Sequence, residues 1–146
     1  MNHSGAYILA QHLIAEGELI DPAESGDWKV FVGSLPDGNE ADDNAVGAID
    51  TSPVKDGRLM GGAPLFHYGV QLLLRSREYN AGFAKADSVA LAMSEIDDDS
   101  VSIDSNTYTL INVLQSTGVV ALGQEDGTKR RYMFSVNFIA TIRQEV

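Results

Sequence analysis

The sequence alternates between apolar and more polar residues along a stretch near its C-terminus, from 132 to 143. Successive side chains of a β-strand point to opposite faces of a sheet, so this alternation predicts one long strand with a single buried face. The Asp126-Gly127 pair before it predicts a tight turn and an antiparallel partner at 119–122. Other elements must cover the apolar face, because a sheet buries it against another layer. The apolar positions are Tyr132, Phe134, Val136, Phe138, Ala140 and Ile142.

Further strands are predicted from alternation or from β-branched and aromatic residues. The first two pair most simply as a hairpin, because a turn sequence at 36–39 follows the first. Residues 52–64 hold three glycines and show no period, which predicts a long flexible loop that orders on binding or assembly. The predicted strands are 28–34, 45–51, 66–74, 101–104 and 107–114.

Apolar residues recur every three or four positions in two segments, which predicts two helices. The first spans 4–16 with Ser4 as its N-cap, and the second begins after Asn80 as N-cap. Three consecutive acids follow the second helix, and we expect them beyond its C-terminus in solvent. The order of elements predicts a single α+β domain over residues 1–146, with a largely antiparallel or mixed sheet and two helices packed on one face.

The amino-acid composition excludes several kinds of functional site and binding partner. The chain has 146 residues, no Cys, and 21 Asp and Glu against 10 Lys and Arg, which gives a formal net charge of −11. The absence of Cys excludes disulfides, thiolate nucleophiles and Cys-ligated metal sites. The negative charge disfavours binding to nucleic acid or anionic lipid. No signal-peptide pattern opens the sequence and no apolar run approaches the roughly 18 residues of a membrane span, so we expect a protein kept in the cytoplasm where it is made.

Residues that could carry chemistry do not form a recognisable site. The histidines at 3, 12 and 67 lack a second ligand at metal-binding spacing. The acidic runs lack the oxygen spacing of a calcium loop, and the glycines of 57–62 lack the Lys-Ser or Lys-Thr of a phosphate loop. Ser76 and Ser135 show no nucleophile-elbow pattern. We therefore expect no catalytic residue, no metal and no cofactor.

Two basic segments stand out in this acidic chain. One contains Arg75 and Arg77 before the second helix, and the other is the 129–131 run that opens the last strand. Exposed arginines pair well with carboxylates of another copy or another protein, while the alternative is that they pair within the fold. The non-core face of the last strand is semi-polar, as interfaces often are. The candidate contact residues are Arg75, Arg77, Tyr79, Lys129, Arg130, Arg131 and Asn137.

These two segments, in their order and spacing, resemble the bacteriophage tail terminator family, also called minor capsid or tail completion proteins. The first is GVQLLLRSREYN at 69–80, followed by a helix containing AKA at 84–86. The second is LGQEDGTKRR at 122–131, followed by FSVNF at 134–138. In that family the first pattern is a strand followed by a helix, and the second is a turn before a strand.

The resemblance implies a structural virion protein without catalytic activity. Such a protein forms a hexameric ring on the head-proximal end of the tail tube, stops tube polymerisation and offers a surface for head attachment. Its implied partners are other copies of itself, the tail tube protein and a head-completion or neck protein, with no membrane involved. DNA passes through the ring without specific binding, and synthesis takes place in the cytoplasm of the host bacterium.

The acidity is uneven along the chain. Residues 1–64 hold 11 acids and 3 bases, whereas residues 65–146 hold 10 acids and 7 bases. Under the ring hypothesis, acids facing the lumen would let DNA pass without adhering to the wall. The candidate acidic lumen or loop residues are Glu40, Asp42, Asp43, Asp97, Asp98 and Asp99.

Three other functions remain open at this point. A head-closure or neck connector would need the same ring with a different partner. A small-ligand-binding regulatory domain is compatible with an α+β fold, although few cationic groups are available for an anionic metabolite. A metal-dependent hydrolase would require the acidic segments at 40–43 and 97–99 to converge on one cation.

Overall fold

The computed structural model describes residues 2–37, 42–52, 54–58, 62 and 64–145. Within these residues the chain forms two helices and eight strands. In chain order they are α1 Gly5–Ala15, β1 Lys29–Val32, β2 Ala45–Asp50, β3 Val54–Arg58, β4 Pro64–Ser76, α2 Tyr79–Ser94, β5 Asp99–Ile103, β6 Asn106–Gln115, β7 Val120–Gln124 and β8 Tyr132–Gln144.

The two longest strands, β4 and β8, form the centre of the sheet. They pair antiparallel from Leu65 opposite Arg143 to Ser76 opposite Tyr132. The main path of the sheet runs β1, β2, β4, β8, β6, β5, while β3 adds to β4 and β7 adds to β8. Among these described strands, the β1–β2 pair is parallel and every other pair is antiparallel.

The alternation predicted for the last strand is confirmed, because every second side chain from Phe134 to Ile142 is buried. Both helices pack on this face, which makes the chain a single α+β domain as predicted. Gly5 of α1 lies against the side chain of Tyr68 on β4, and Gly82 of α2 lies against the ring of Phe134 on β8. The opposite face of the sheet is called the outer face below.

The helix ends show one correct and one wrong prediction. Ser4 caps α1 as expected, with its hydroxyl accepting a hydrogen bond from the Tyr7 amide at 3.2 Å. Asn80 is not the N-cap of α2; the N-cap is Glu78, two residues earlier, and the helix begins at Tyr79. The turn before α2 is held instead by the Ser76 hydroxyl, which donates to the Glu78 carbonyl at 2.7 Å. Neither described helix has the length and apolar character needed to cross a membrane.

The first two strands do not form the predicted hairpin, since β1 and β2 run parallel from Lys29 opposite Ala45. Of the β1–β2 connection, residues 33–37 lie on the outer face and residues 42–44 lie at the end of the sheet where β1 began. A Cβ on Gly47 would lie 3.0 Å from Leu35 Cβ, so glycine makes room for this segment. The Trp28 amide donates to the Asn44 carbonyl at 2.8 Å, which joins the residue before β1 to the residue before β2.

The predicted loop at 52–64 contains a strand, so the prediction that it lacks secondary structure is wrong. β3 pairs antiparallel with the first residues of β4, from Val54 opposite His67 to Arg58 opposite Pro64. The sequence did not indicate β3, because its Lys-Asp-Gly segment does not alternate between apolar and polar residues. Charged residues of this kind are common on edge strands, which they protect from aggregation. Residues 53, 59–61 and 63 of the predicted loop lie outside the described residues.

Candidate functional site

Two of the predicted contact arginines lie inside the fold. Arg75 near the end of β4 is 2% exposed and Arg131 just before β8 is 1% exposed. Described residues of the β1–β2 connection contact both of them on the outer face, namely Pro36, Asp37, Asp42 and Asp43. Arg75 Nη1 donates to the Pro36 carbonyl at 2.6 Å, and Arg131 Nη1 donates to the Asp37 carbonyl at 3.1 Å. The covering segment is therefore fixed to β4 and β8 by the two guanidinium groups.

Asp43 links the two basic segments of the sequence. Its Oδ1 accepts from Arg131 Nη1 at 3.0 Å, and its Oδ2 accepts from Arg77 Nε at 3.0 Å. Burial alone would raise the pKa of Asp43, but the hydrogen bonds and charges of Arg77 and Arg131 outweigh burial and hold that pKa below its ordinary value. Asp43 is thus ionised and fully paired within the chain.

Glu125 completes this group, which we call the arginine cluster: Arg75, Arg77, Arg131, Asp43 and Glu125. The Glu125 carboxylate accepts from Arg131 Nε, and the Glu125 amide donates to the Arg131 carbonyl at 2.9 Å. Burial acts to raise the pKa of Glu125, whereas hydrogen bonds from Arg131 lower it by more. The cluster therefore joins the β7–β8 turn to the β1–β2 connection.

The expectation that the basic and acidic candidates are exposed is wrong for three of them. Arg75, Arg131 and Asp43 are buried, because the connection that covers them brings its own carbonyl and carboxylate partners. Asp42 is half-buried and forms an ion pair with Lys29 at 3.1 Å. Pairing within the fold, the alternative left open by the sequence, describes the arginine cluster. Glu40 lies outside the described residues.

We expect acid to destabilise the fold through this cluster. Because the pKa values of Asp43 and Glu125 are depressed in the folded state, their stabilising contribution is present above about pH 4 and is lost as the pH falls below it. Free energies of unfolding measured by urea from pH 7 to pH 2 should fall below about pH 4. The Glu125→Gln variant should show a shallower fall, and Asp126→Asn at the exposed neighbouring position should match the wild type. An unchanged profile in Glu125→Gln would contradict this account.

Four of the remaining candidates gather at one end of the sheet. Arg77 and Tyr79 follow β4, whereas Lys129 and Arg130 precede β8, and the pairing of Ser76 with Tyr132 brings the two segments together. The side chain of Arg77 is 64% exposed although it contacts Asp43. Tyr79 is 45% exposed and lies edge-on to the rings of Tyr132 and Phe134. These residues can meet a partner at this end.

Asn137 lies on the outer face, half-buried. Its side-chain amide donates to the Thr117 hydroxyl at 3.3 Å, and its own backbone amide donates to the same oxygen at 3.2 Å. It borders a shallow depression formed with Ile139, Gly69 and Thr51. The position fits the predicted semi-polar character of this face.

The acids after α2 differ in their surroundings. Asp97 and Asp98 are exposed, as expected for residues beyond a helix C-terminus. Asp99 is half-buried, and its Oδ2 lies 3.5 Å from Nε2 of the buried His12. A groove of about 450 Å³ runs beside this pair between α1 and β5. Within the described residues no three His, Asp or Glu side chains are placed to hold a metal ion.

Exposed apolar residues form a feature that the sequence reasoning missed. Every residue of β7 is exposed, including Val120 at 47% and Leu122 at 54%. Leu114 of β6 and Ile139 of β8 are opposite each other in register and are both exposed on the outer face. The available signal was the absence of any charged residue from 116 to 124. Exposed apolar side chains that form a continuous patch are typical of protein-contact surfaces, which makes these strands candidates for one.

Comparison with solved structures shows a likeness of fold to a virion protein. A chain in the virion of a native gene transfer agent particle has a similar fold, with a TM-score of 0.56 and 13% sequence identity. The match covers 96% of this chain and 95% of that chain. No protein-family model and no curated protein matches the sequence. The likeness at this identity concerns the fold.

Proposed function

We propose that this chain is a structural protein of a phage-like virion and acts there as a tail terminator. The observation that carries the proposal is the shared fold with a virion chain over nearly the full length of both chains. The segments at 69–80 and 122–138, which resemble the tail terminator family, support it from the sequence. They form the paired end of β4 and β8 with the turn before β8.

The proposed mechanism is geometric and involves no catalysis. Copies of the chain close into a ring, hexameric by the resemblance, on the head-proximal end of the tail tube. The ring binds the repeating interface at the tube end but lacks the interface that the next ring of tube subunits would need, so growth stops. The opposite surface of the ring receives the head-completion protein.

The arginine cluster has a supporting role in this mechanism. Its buried guanidinium groups fix the β1–β2 connection and the β7–β8 turn at one end of the sheet. Arg77, Tyr79, Lys129 and Arg130 are exposed around that end and are the proposed contacts. A ring requires the same contact geometry in every copy, and a rigid support for the contact residues supplies it.

The exposed acids suit the passage of DNA through the ring. Asp97 and Asp98 carry negative charge outward after α2, and the chain as a whole has a formal net charge of −11. Charges of this sign on a lumen wall repel phosphates and keep the duplex from adhering. A ring structure with these two side chains on the outer rim would remove this part of the proposal.

Deleting the gene for this chain tests the proposal. We expect particles made without it to contain tail tubes longer than those of the wild type, because nothing ends tube polymerisation. Negative-stain electron microscopy gives the tube-length distribution, and expression of the wild-type chain in trans is the control that should restore it. Tubes of normal length that fail to join heads would overturn termination and support the neck-connector alternative.

A further inference from the structure

Strand β7 has an open edge that carries apolar side chains and no charge. It pairs with β8 along one edge, and within the described residues no strand lies on its other edge. All five of its residues are exposed. Soluble proteins protect such edges with charged residues, proline or a bulge, because open edges pair with other chains, and of these β7 has only the bulge between Ala121 and Gly123. The uncharged edge of β7 is therefore able to pair with a strand from another molecule.

Strand β5 offers a matching edge. It ends the main path of the sheet and pairs with β6 along one side. Alternate residues of a strand in an antiparallel pair direct their backbone N–H and C=O groups away from the partner. The groove of about 450 Å³ between α1 and β5 leaves space beside this edge. Ser100 and Ser102 are exposed and small, so they leave room for an added strand.

The charges near β7 and β5 favour antiparallel over parallel pairing of these two strands. The turn after β7, residues 125–131, holds three bases and two acids, of which Arg131 and Glu125 pair with each other. Asp97 and Asp98 precede β5 and are exposed, and Asp99 is its first residue. Antiparallel pairing places the C-terminal end of β7 beside the N-terminal end of β5. The basic turn then lies next to the acidic run, whereas parallel pairing would place it near the single acid Asp104.

We propose that β7 of one copy of this chain adds antiparallel to the open edge of β5 of a second copy. Both strands have five residues, and the β-bulge between Ala121 and Gly123 of β7 confines regular pairing to the residues on either side of it. The contact is heterologous, since the two strands are different, and repetition closes a ring or extends a filament. The inference builds on the proposed function, for which it supplies the subunit contact.

Introduced cysteines test this contact cleanly, because the natural chain contains none. Centred antiparallel pairing of the two strands places Ser102 opposite Ala121, at a Cα separation of about 5 Å that a disulfide can bridge. A mixture of Ser102→Cys and Ala121→Cys chains should give a disulfide-linked heterodimer under mild oxidation. A second mixture with Ser100→Cys covers a register shifted by two residues. Leu91→Cys, 61% exposed on α2, replaces the serine variant in the control mixture.

We expect linkage in at least one strand mixture to be about tenfold faster than in the Leu91→Cys control. Adding Arg130→Glu to the Ala121→Cys chain should slow linkage several-fold, and adding Asp97→Arg to its partner should restore it. Linkage at the control rate in both mixtures, or equally fast linkage of Ala121→Cys with itself, would overturn the proposal. Chains that remain monomeric by native mass spectrometry at every concentration would also overturn it.

The outcomes separate this inference from the proposed function. Fast linkage together with normal tube length in deletion particles would leave the strand contact standing and remove termination. Overlong tubes in deletion particles together with linkage at the control rate would leave termination standing and require a different subunit contact.

Discussion

Replacing Arg131 with methionine should lower the free energy of unfolding by about 3–5 kcal/mol, which is the typical cost of removing one partner from a buried ion pair. Methionine has a similar length but cannot donate hydrogen bonds. The substitution leaves the buried Asp43 with Arg77 as its remaining guanidinium partner, and it releases Glu125 and the Asp37 carbonyl. Urea unfolding followed by circular dichroism measures the change.

Arg130→Met is the matched control for this experiment. Arg130 is the adjacent residue and is exposed, so the same chemical change there should alter the free energy of unfolding by less than about 0.5 kcal/mol. Arg131→Lys should fall between the two, because one ammonium group cannot reproduce the several directed bonds of a guanidinium. Equal stabilities of Arg131→Met and Arg130→Met would show that the cluster does not support the fold.

Gly82→Ala should destabilise the protein, although the same change in an exposed helix stabilises it by about 1 kcal/mol. A Cβ at Gly82 would lie 2.5 Å from the Phe134 ring and 2.7 Å from Ser76 Cβ, so α2 must move away from the sheet. Overpacking of this kind costs about 1–3 kcal/mol. Ala84→Gly, at an exposed position of the same helix, calibrates the helix propensity, and thermal unfolding measures all the variants.

A double-mutant cycle with Phe134→Ala tests the cause of that effect. Phe134 is fully buried, and its removal alone should cost about 3–5 kcal/mol. The vacated space removes the clash with the ring but leaves the one with Ser76 Cβ, so Gly82→Ala should be less destabilising in the Phe134→Ala background. The expected coupling energy is about 1–3 kcal/mol. Additive effects would mean that the glycine does not serve close packing of helix on sheet.

The central strands and the helices could be predicted because the residue pattern within each element depends on which of its faces is buried. β8 alternates over its whole length, and one buried face of a sheet produces that period regardless of which strands lie beside it. The prediction of α1 and its Ser4 cap succeeded for the same reason, since capping is a local interaction. The N-cap of α2 was misplaced, because Ser76 of the preceding strand orders that turn.

The roles of the arginines could not be read from the sequence. Arg75 and Arg131 occupy outer-face positions, where an exposed charge is the ordinary expectation. The β1–β2 connection buries them, and its path has no periodic signal because loop conformation depends on the partners it meets. Its described residues, 33–37 and 42–44, contribute carbonyls and carboxylates from positions far along the chain from either arginine. Local patterns cannot anticipate such pairing.

The candidate contacts stay a prediction, and the structure shows only where those residues lie. Arg77, Tyr79, Lys129 and Arg130 share one end of the sheet, which follows from the predicted antiparallel turn before β8 and from the pairing of β4 with β8. The open edge of β7 was missed, since its segment reads as a strand but strand neighbours are set by the whole topology. The sequence shows that this segment has no charged residue. That property becomes informative only when the topology shows that β7 has an open edge.

Tail-tube length in particles made without this chain tests the central claim most directly. We expect tubes that exceed the wild-type length and vary widely, with the normal distribution restored by wild-type chain supplied in trans. Arg130→Glu chain, which keeps the buried cluster, should restore it less well. Tubes of uniform wild-type length in the absence of the chain would contradict the account.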